Sequence, residues 1–466
     1  MNARRFRLIC LPAVALALAP ALPEVTAADD TLLEAMAKAY DANPQLEAAR
    51  ARLREIDEGV PQALSGWRPV VIASGNIGYG RYQSKSIPNN RSRNTESRNP
   101  SQAQLQATQP LFNGSNAPRL EAAKQRVSAQ RARLMATEQT VFLNTGIAFM
   151  DVVRDQAVVE LTVNNVNFLR RRLQAARDQF EVGEVTRTDV AQAEARLARA
   201  IAERVSAEGT LEASRARYQN VVGDIPGRLE QPPPLANLPE TKGEAVEVAA
   251  ESNPNITAAM FDERAVQQDI QSIRGELLPT VNLVGTVSHR NDQGIRGARN
   301  NDAVLAATVS MPLYEAGRTT SRRRQAIQLA SRARALIESR RRDAVEQAVA
   351  AWENLESARA RLESLTTEVR ASEIALDGLQ QEAEVGTRTL LDVLDAEQDL
   401  LDARVNVVRT KRAEAVASYQ LAAAVGRLTV EAQQVPVTPY DVQVHYDRVR
   451  AIMWNPDVLF GGDGKE

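Results

Sequence analysis

The 466-residue chain is poor in residues that do chemistry, with one cysteine, Cys10, and two histidines, His289 and His445. Cys10 sits at the start of an N-terminal apolar run, so the remainder has neither a disulfide nor thiol reactivity. Aromatic residues make up 4% of the chain, a composition that suits long two-faced helices rather than a compact enzyme core. Proline is missing from residues 119–225 and again from 313–435, which leaves two long stretches where nothing breaks a helix. Beyond the N-terminal segment no run approaches the roughly 18 to 20 continuous apolar residues of a transmembrane helix. If the chain enters a membrane, it does so as strands.

What is present begins with a leader. "MNARRFRLICLPAVALALAPALPEVTAADD" sets Arg4, Arg5 and Arg7 ahead of an apolar run that exits through small residues, the layout of a secretory signal over residues 1–28. No cysteine stands at the end of that run, where a lipid would be attached. Removing the leader takes away Arg4, Arg5, Arg7 and Glu24, lowering 57 basic and 59 acidic residues to 54 and 58, a net charge of −4. No nucleic-acid partner is expected from such a balance.

The chain is written twice. "NPQLEAARARLREIDEGVPQALSGWRPVV" from Asn43 resembles "NPNITAAMFDERAVQQDIQSIRGELLPTV" from Asn253, with Pro44 to Pro254 and Pro69 to Pro279 both offset by 210. "QPLFNG" matches "MPLYEAG", and "FEVGEVTRTDV" matches "AEVGTRTLLDV", where Gly183 to Gly386 and Asp189 to Asp392 are offset by 203. The reading is a first repeat over 29–230, a linker over 231–242, a second repeat over 243–430 and a tail over 431–466.

Each repeat opens with helix, over about 31–60 and 243–275, then switches at a proline to alternation. Val71, Ala73, Ile77 and Tyr79 share one phase, as do Val281, Leu283 and Val287. Return strands carry Leu105, Ala107 and Leu111, or Leu305, Ala307, Val309 and Met311. This predicts one β-hairpin per repeat, over about 67–113 and 277–315, each with a long polar tip loop. Helical hairpins follow, over about 115–223 with a tip at 183–189, and over about 317–427 with a tip at 386–395. The 60-odd residues before each tip glycine make a rod on the order of 90 to 100 Å at 1.5 Å per residue. On the returning helix Leu391, Leu394, Gln398, Leu401, Val405, Val408, Arg412, Ala415 and Tyr419 form a heptad seam with two polar interruptions.

The fold class read from this is mainly α with β, two tandem repeats each giving one β-hairpin and one long α-helical hairpin. A soluble sheet packed on a helix would show the same alternation. With a signal peptide and membrane-length strands, an outer-membrane barrel is the competing account. Four strands cannot close, and open edges are not tolerated in lipid, so the chain must then oligomerise. Eight strands from a dimer would leave a filled interior, whereas twelve from a trimer leave room for a channel.

The duplicated layout, the "WRP" and "LLP" strand starts, the "QPLF" and "MPLY" strand ends, and above all "VGEVTRTDV" and "VGTRTLLDVLDAEQDLLDAR" resemble the TolC family of bacterial outer-membrane ducts over nearly the whole exported chain. The resemblance implies a homotrimer whose 12-stranded outer-membrane β-barrel is continued by a periplasmic α-helical tunnel. It implies contact with outer-membrane lipid, docking to a periplasmic adaptor (membrane fusion protein), and an inner-membrane ABC or proton-driven transporter as the energy source.

Gly183 and Gly386 close long helical runs and read as left-handed C-terminal stops. Thr186 with Asp189, and Thr389 with Asp392, have the spacing of capping boxes that start the next helix. Asp392, Asp395, Asp399 and Asp402 then share an arc beside the seam. At the offset of 203 the first repeat has Asp189, Gln192, Arg196 and Arg199, so the turn was kept and the acidic stripe was not. A solvated face is the bland account. Catalysis would need a pocket and an oriented substrate, and a metal would need converging ligands, so neither an enzyme nor a metal or cofactor site is expected. The resemblance assigns Asp392 and Asp395 to lumen selectivity rings, and has Arg388 bond to Thr188 and Asp189 of the neighbouring first-repeat tip to hold the tunnel closed. It also places a tyrosine three residues before the second glycine, where this chain has Ala383, so one expected latch is missing.

Trp67, Tyr79, Tyr82, Phe112 and Tyr314 fall near strand ends, as an interfacial belt or as ordinary packing. Arg91, Arg93 and Arg98 lie in the first polar loop, where phosphates of lipopolysaccharide or water could meet them. The tail breaks the repeat and has no assigned role. The expected function is the outer-membrane exit duct of a tripartite export system. The missing lipid cysteine tilts it toward type I protein secretion, with multidrug or metabolite efflux as the alternative. A different class, the soluble periplasmic adaptor, would have one α-hairpin and no paired membrane-length hairpins.

Overall fold

A computed structural model describes residues 31–452 apart from 86–92, 233–234, 236–237 and 294–295. The expected leader, Arg91 and residues 453–466 of the tail lie outside the described residues. The chain is mainly helical with a smaller share of sheet. No helix among the described residues is long and apolar enough to cross a membrane.

The first half begins with α1 (Leu32–Ala42), α2 (Pro44–Asp57) and α3 (Gly59–Leu64); the second half begins with α6 (Lys242–Ser252) and α7 (Pro254–Gly275). The same local chemistry starts α2 and α7. Asn43 and Asn253 each accept the backbone N–H two residues on, at 2.9 Å, and Pro44 and Pro254 fill the first helical position, where no N–H is needed.

Strands β1 (Val70–Ile77), β4 (Ser101–Phe112), β5 (Thr280–Asn291) and β6 (Arg299–Ser310) form one antiparallel sheet in the order β1-β4-β5-β6. Directly paired residues share a face. Val71 with Ala107, Ala73 with Leu105, Leu105 with Val287, and Leu283 with Ala307 build an apolar face from all four strands. The opposite face carries a ladder in which Gln102 donates to Gln104, Gln104 to Gln106, and Gln106 to Thr108, at 2.9 to 3.3 Å. Leu105, Val287 and Leu305 are 52%, 60% and 73% exposed, so nothing among the described residues covers the apolar face.

The flanks of the first polar loop form strands that its composition does not suggest. β2 (Gly80–Lys85) pairs with β3 (Arg93–Arg98) as a separate two-stranded ribbon. In the second half β5 and β6 extend into the stretch read as loop, leaving a shorter connection. Arg98 pairs with Glu96 at 3.0 Å and lies over the Tyr82 ring.

The long helices are α4 (Asn116–Glu181) and α8 (Arg318–Glu384), returned by α5 (Arg187–Val222) and α9 (Leu390–Ala424). At 66 and 67 residues each long helix extends about 100 Å. Far from the sheet α5 packs on α4, α4 on α9, and α9 on α8; near the sheet α2 packs on α4, α4 on α7, and α7 on α8. The main core lies midway along the helices, where α1, α2 and α3 meet α4, with Tyr40 against Phe142 and Phe149 against Tyr218. Toward the tips it thins to small clusters such as Leu173, Ala176 and Ala193.

The strands join the helices through a close backbone crossing. A Cβ on Gly275 would lie 2.4 Å from the carbonyl of Gly114, and beside it the Ser115 hydroxyl donates to the Ser272 carbonyl at 2.8 Å. The described part of the tail, with α10 (Val430–Gln433) and α11 (Val444–Ala451), folds back over α1 to α4. Tyr440 N–H donates to Tyr40 Oη at 2.9 Å, and buried Asp57 faces His445 at 3.2 Å.

Candidate functional site at the helical tips

Both tips are made by one recipe. At the end of α4, Gly183 takes φ of 84°, its N–H donates to the Phe180 carbonyl at 3.0 Å, and Glu184 N–H donates to the Gln179 carbonyl at 2.9 Å. At the end of α8, Gly386 takes φ of 78°, with bonds of 3.0 Å from Gly386 N–H to Ala383 and from Thr387 N–H to Glu382. This is the Schellman stop, which needs a residue free to take a left-handed backbone.

Three residues after each glycine, at Thr186 and Thr389, the next helix is capped. Thr186 N–H and Oγ donate to Asp189 Oδ2 at 2.9 and 2.7 Å, and Asp189 N–H donates back to Thr186 Oγ at 3.3 Å. Thr389 and Asp392 repeat the box at 3.0, 2.8 and 3.2 Å. The hydroxyl and N–H of Thr186 hold the Asp189 carboxyl below the usual range; the N–H and hydroxyl of Thr389 do the same for Asp392.

Beyond the boxes the halves diverge. Arg388 Nε donates to Glu382 Oε2 of the preceding helix end at 2.9 Å, so within one protomer it is not engaged with Thr188 or Asp189. Thr188 is exposed in the first turn of α5. Asp395 pairs with Arg196 of α5. Asp392 is committed to its cap, and Asp402 accepts from Gln398 at 3.1 Å. The acidic stripe is thus partly met by a cation of the first half. Its sequence signal was the exchange of sign at the duplicated position, where Arg196 stands for Asp399.

Higher up lies a polar knot whose one sign in the sequence is Arg412, a polar interruption of the seam. Buried Asp151 accepts from Arg412 Nε at 2.9 Å and faces Arg154 at 3.0 Å. Asp155, also buried, takes Arg154 at 2.7 Å and the Ser214 hydroxyl at 2.6 Å. Three helices, α4, α5 and α9, are joined there by charges that compensate one another. Among the described residues no cluster of histidine, cysteine, aspartate and glutamate is arranged to hold a metal.

Paired long helices mounted on an antiparallel sheet, one face of which is apolar and bare among the described residues, define a mainly helical fold of the outer-membrane channel type. A family model described as outer membrane efflux protein matches residues 35–224 and 245–427, and the chain belongs to that family. It is therefore an outer-membrane protein of a channel family and not an enzyme. Outer membrane efflux protein BepC of Brucella suis biovar 1 (strain 1330) is 34% identical over 427 residues, 91% of each chain. Outer membrane protein TolC of Vibrio cholerae serotype O1 is 25% identical over 409 residues, 86% of this chain and 91% of that one. The solved Campylobacter jejuni CmeC outer membrane channel superimposes with a TM-score of 0.76 at 15% identity, covering 91% of this chain and 90% of that one, which speaks for the fold.

Proposed function

We propose that three copies of this chain close a 12-stranded barrel in the outer membrane and continue it as a helical tunnel into the periplasm, forming the exit duct of a tripartite export system. The observation that carries this reading is the sheet β1-β4-β5-β6, with two edges unpaired among the described residues, one apolar face and one Gln-lined polar face. Such a sheet satisfies its backbone only by pairing β6 of one copy with β1 of the next, which puts the apolar face toward lipid. Trp67, Tyr79 and Tyr314, at 40%, 76% and 88% exposed, suit the interfacial belt.

At the far end the tips are the gate. Asp392 and Asp395, repeated three times, ring the mouth and favour cations. Arg388 latches onto Thr188 and Asp189 of a neighbour by exchanging away from Glu382. A periplasmic adaptor docks at this end and links the duct to an ABC or proton-driven inner-membrane transporter, since the chain has no energy source of its own. No nucleic acid takes part.

Cargo divides into two readings. The absence of a lipid-attachment cysteine supports type I protein secretion. The name of BepC, an efflux protein at 34% identity, supports drug or metabolite efflux. A deletion strain scored in parallel for missing secreted proteins and for drug sensitivity separates them. Loss of neither would overturn the export reading.

A further inference from the structure

We infer that α8 carries a preformed seam for the α2–α3 edge of a second copy, with a chemistry deliberately unlike its counterpart inside the protomer. This rests on the closed-assembly reading above and names the side chains that close it.

Inside one protomer, α4 and α7 run antiparallel beside the sheet. Arg126 pairs with Asp269 at 2.6 Å, and Arg133 pairs with Asp262. The pairs are seven residues apart on both helices, so they fix the register. At a height between them Ala129 and Ala265 are both buried.

The duplication maps this contact onto two surfaces that the protomer leaves bare. At the offset of 203, Arg126, Ala129 and Arg133 become Leu329, Arg332 and Leu336 of α8. At the offset of 210, Asp269, Ala265 and Asp262 become Gly59, Glu55 and Arg52. Leu329 and Leu336 are 38% and 49% exposed; Arg332, Glu55 and Arg52 are exposed as well. A Cβ on Gly59 would have nothing within 4 Å. The mapping is sound on the faces already covered. Ala326, Ala330 and Ala344, buried on α8, are the counterparts of Ala123, Val127 and Val141, buried on α4.

The two bare surfaces complement each other. Leu329 comes over Gly59, which has no side chain to obstruct it. Arg332, which meets no acid among the described residues of its protomer, comes opposite Glu55, which pairs with Arg52 on its own helix. Leu336 lies along the methylene stem of Arg52. Where the inner contact reads Arg–Asp, Ala–Ala, Arg–Asp, the seam reads Leu–Gly, Arg–Glu, Leu–Arg. The two do not interchange. A neighbour's α7 placed on the seam would set Asp269 and Asp262 against leucines, each carboxylate desolvated without its arginine. The seam therefore accepts only the first-half edge, and copies join head to tail into a closed ring.

The test is a Glu55→Cys, Arg332→Cys double variant in outer-membrane fractions, treated with a short thiol-specific bifunctional reagent and boiled before electrophoresis. Covalent species of two and three chains are expected; each single variant stays at one chain, and an Ala129→Cys, Ala265→Cys control links only within a chain. A wild type that runs as a trimer unboiled, alongside a double variant that stays at one chain, overturns the seam and leaves the assembly reading standing. A wild type that is monomeric by light scattering in detergent overturns the assembly reading itself. Should the cysteine variant fail to reach the membrane, Arg332→Glu must lose the trimer seen without boiling and adding Glu55→Arg must restore it; loss without restoration counts against the seam.

Discussion

Arg196 of α5 pairs with Asp395 of α9, so the tip of the first half is tied to the tip of the second within one protomer. Asp395 is 53% exposed on its side chain, and a pair so placed contributes no more than about 1 kcal/mol. That is still enough to shift a gate about fivefold. Arg196→Gln is expected to raise the open fraction of single channels in planar bilayers by up to that factor, and an Arg196→Asp, Asp395→Arg exchange to restore closure. An unchanged open fraction in Arg196→Gln would place the gate elsewhere.

Glu382 competes for the arginine assigned to the latch. If Arg388 closes the tunnel on Thr188 and Asp189 of a neighbour, Glu382→Gln frees it and lowers the open fraction, while Arg388→Ser raises it. Opposite signs for these two variants are the signature to look for. Equal or absent effects would leave Arg388 as a helix-end ion pair.

The two aspartates proposed to ring the mouth are unequal in this structure. Arg196 offsets the charge of Asp395, whereas Asp392 is held ionised by hydrogen bonds from Thr389. Reversal potentials in a salt gradient should therefore show a larger loss of cation selectivity for Asp392→Asn than for Asp395→Asn. Arg196→Gln should make the channel more cation-selective. Selectivity untouched by Asp392→Asn, Asp395→Asn together would remove the ring.

Acid should loosen both tips. The Asp189 and Asp392 carboxyls titrate below their ordinary value, so their capping contribution is present in full above the unfolded pKa, about 3.9. It fades as pH falls below that and through the lowered folded values. Amide exchange at Thr186–Asp189 and Thr389–Asp392, corrected for intrinsic rate, should rise across that window. In an Asp189→Asn, Asp392→Asn variant the step should vanish.

The crossing of α7 over the start of α4 tolerates no side chain on Gly275. Its Cβ would meet backbone atoms of Gly114, which cannot swing aside, whereas a Cβ on Gly114 first meets the mobile end of Leu278 at 2.7 Å. Gly275→Ala should cost about 1–3 kcal/mol, read as less assembled protein in the outer membrane and a lower melting temperature. Gly114→Ala should cost less. The reverse order would mean that the junction is slack.

The tips were legible because their chemistry is local. A glycine, two residues and a threonine followed three later by an aspartate specify a Schellman stop and a capping box with no help from the rest of the chain. The hairpin pairs β1–β4 and β5–β6 were legible through a shared apolar phase, whereas the β4–β5 pair that joins the two halves was not. The β2–β3 ribbon was not, since "RNTESR" has no apolar alternation and is held by backbone pairing with Gly80–Lys85. Nor was the knot at Asp151, whose members come from three helices and whose seam residue, Arg412, read as a fault in a heptad. Arg388 meeting Glu382 was hidden for another reason: both partners sit within one turn of the tip, where either end of the arginine's reach was open.

The bare edges of β1 and β6 also constrain how the protein is made. A lone copy placed in lipid would leave two rows of backbone donors and acceptors without water or partner, at several kcal/mol for each group left unsatisfied. On the proposed trimeric barrel, membrane entry and association are a single event, with no monomeric barrel as a way station. Yield should depend steeply on how many newly exported chains meet before proteolysis, and a defect in association would surface as missing protein instead of as a leaky pore.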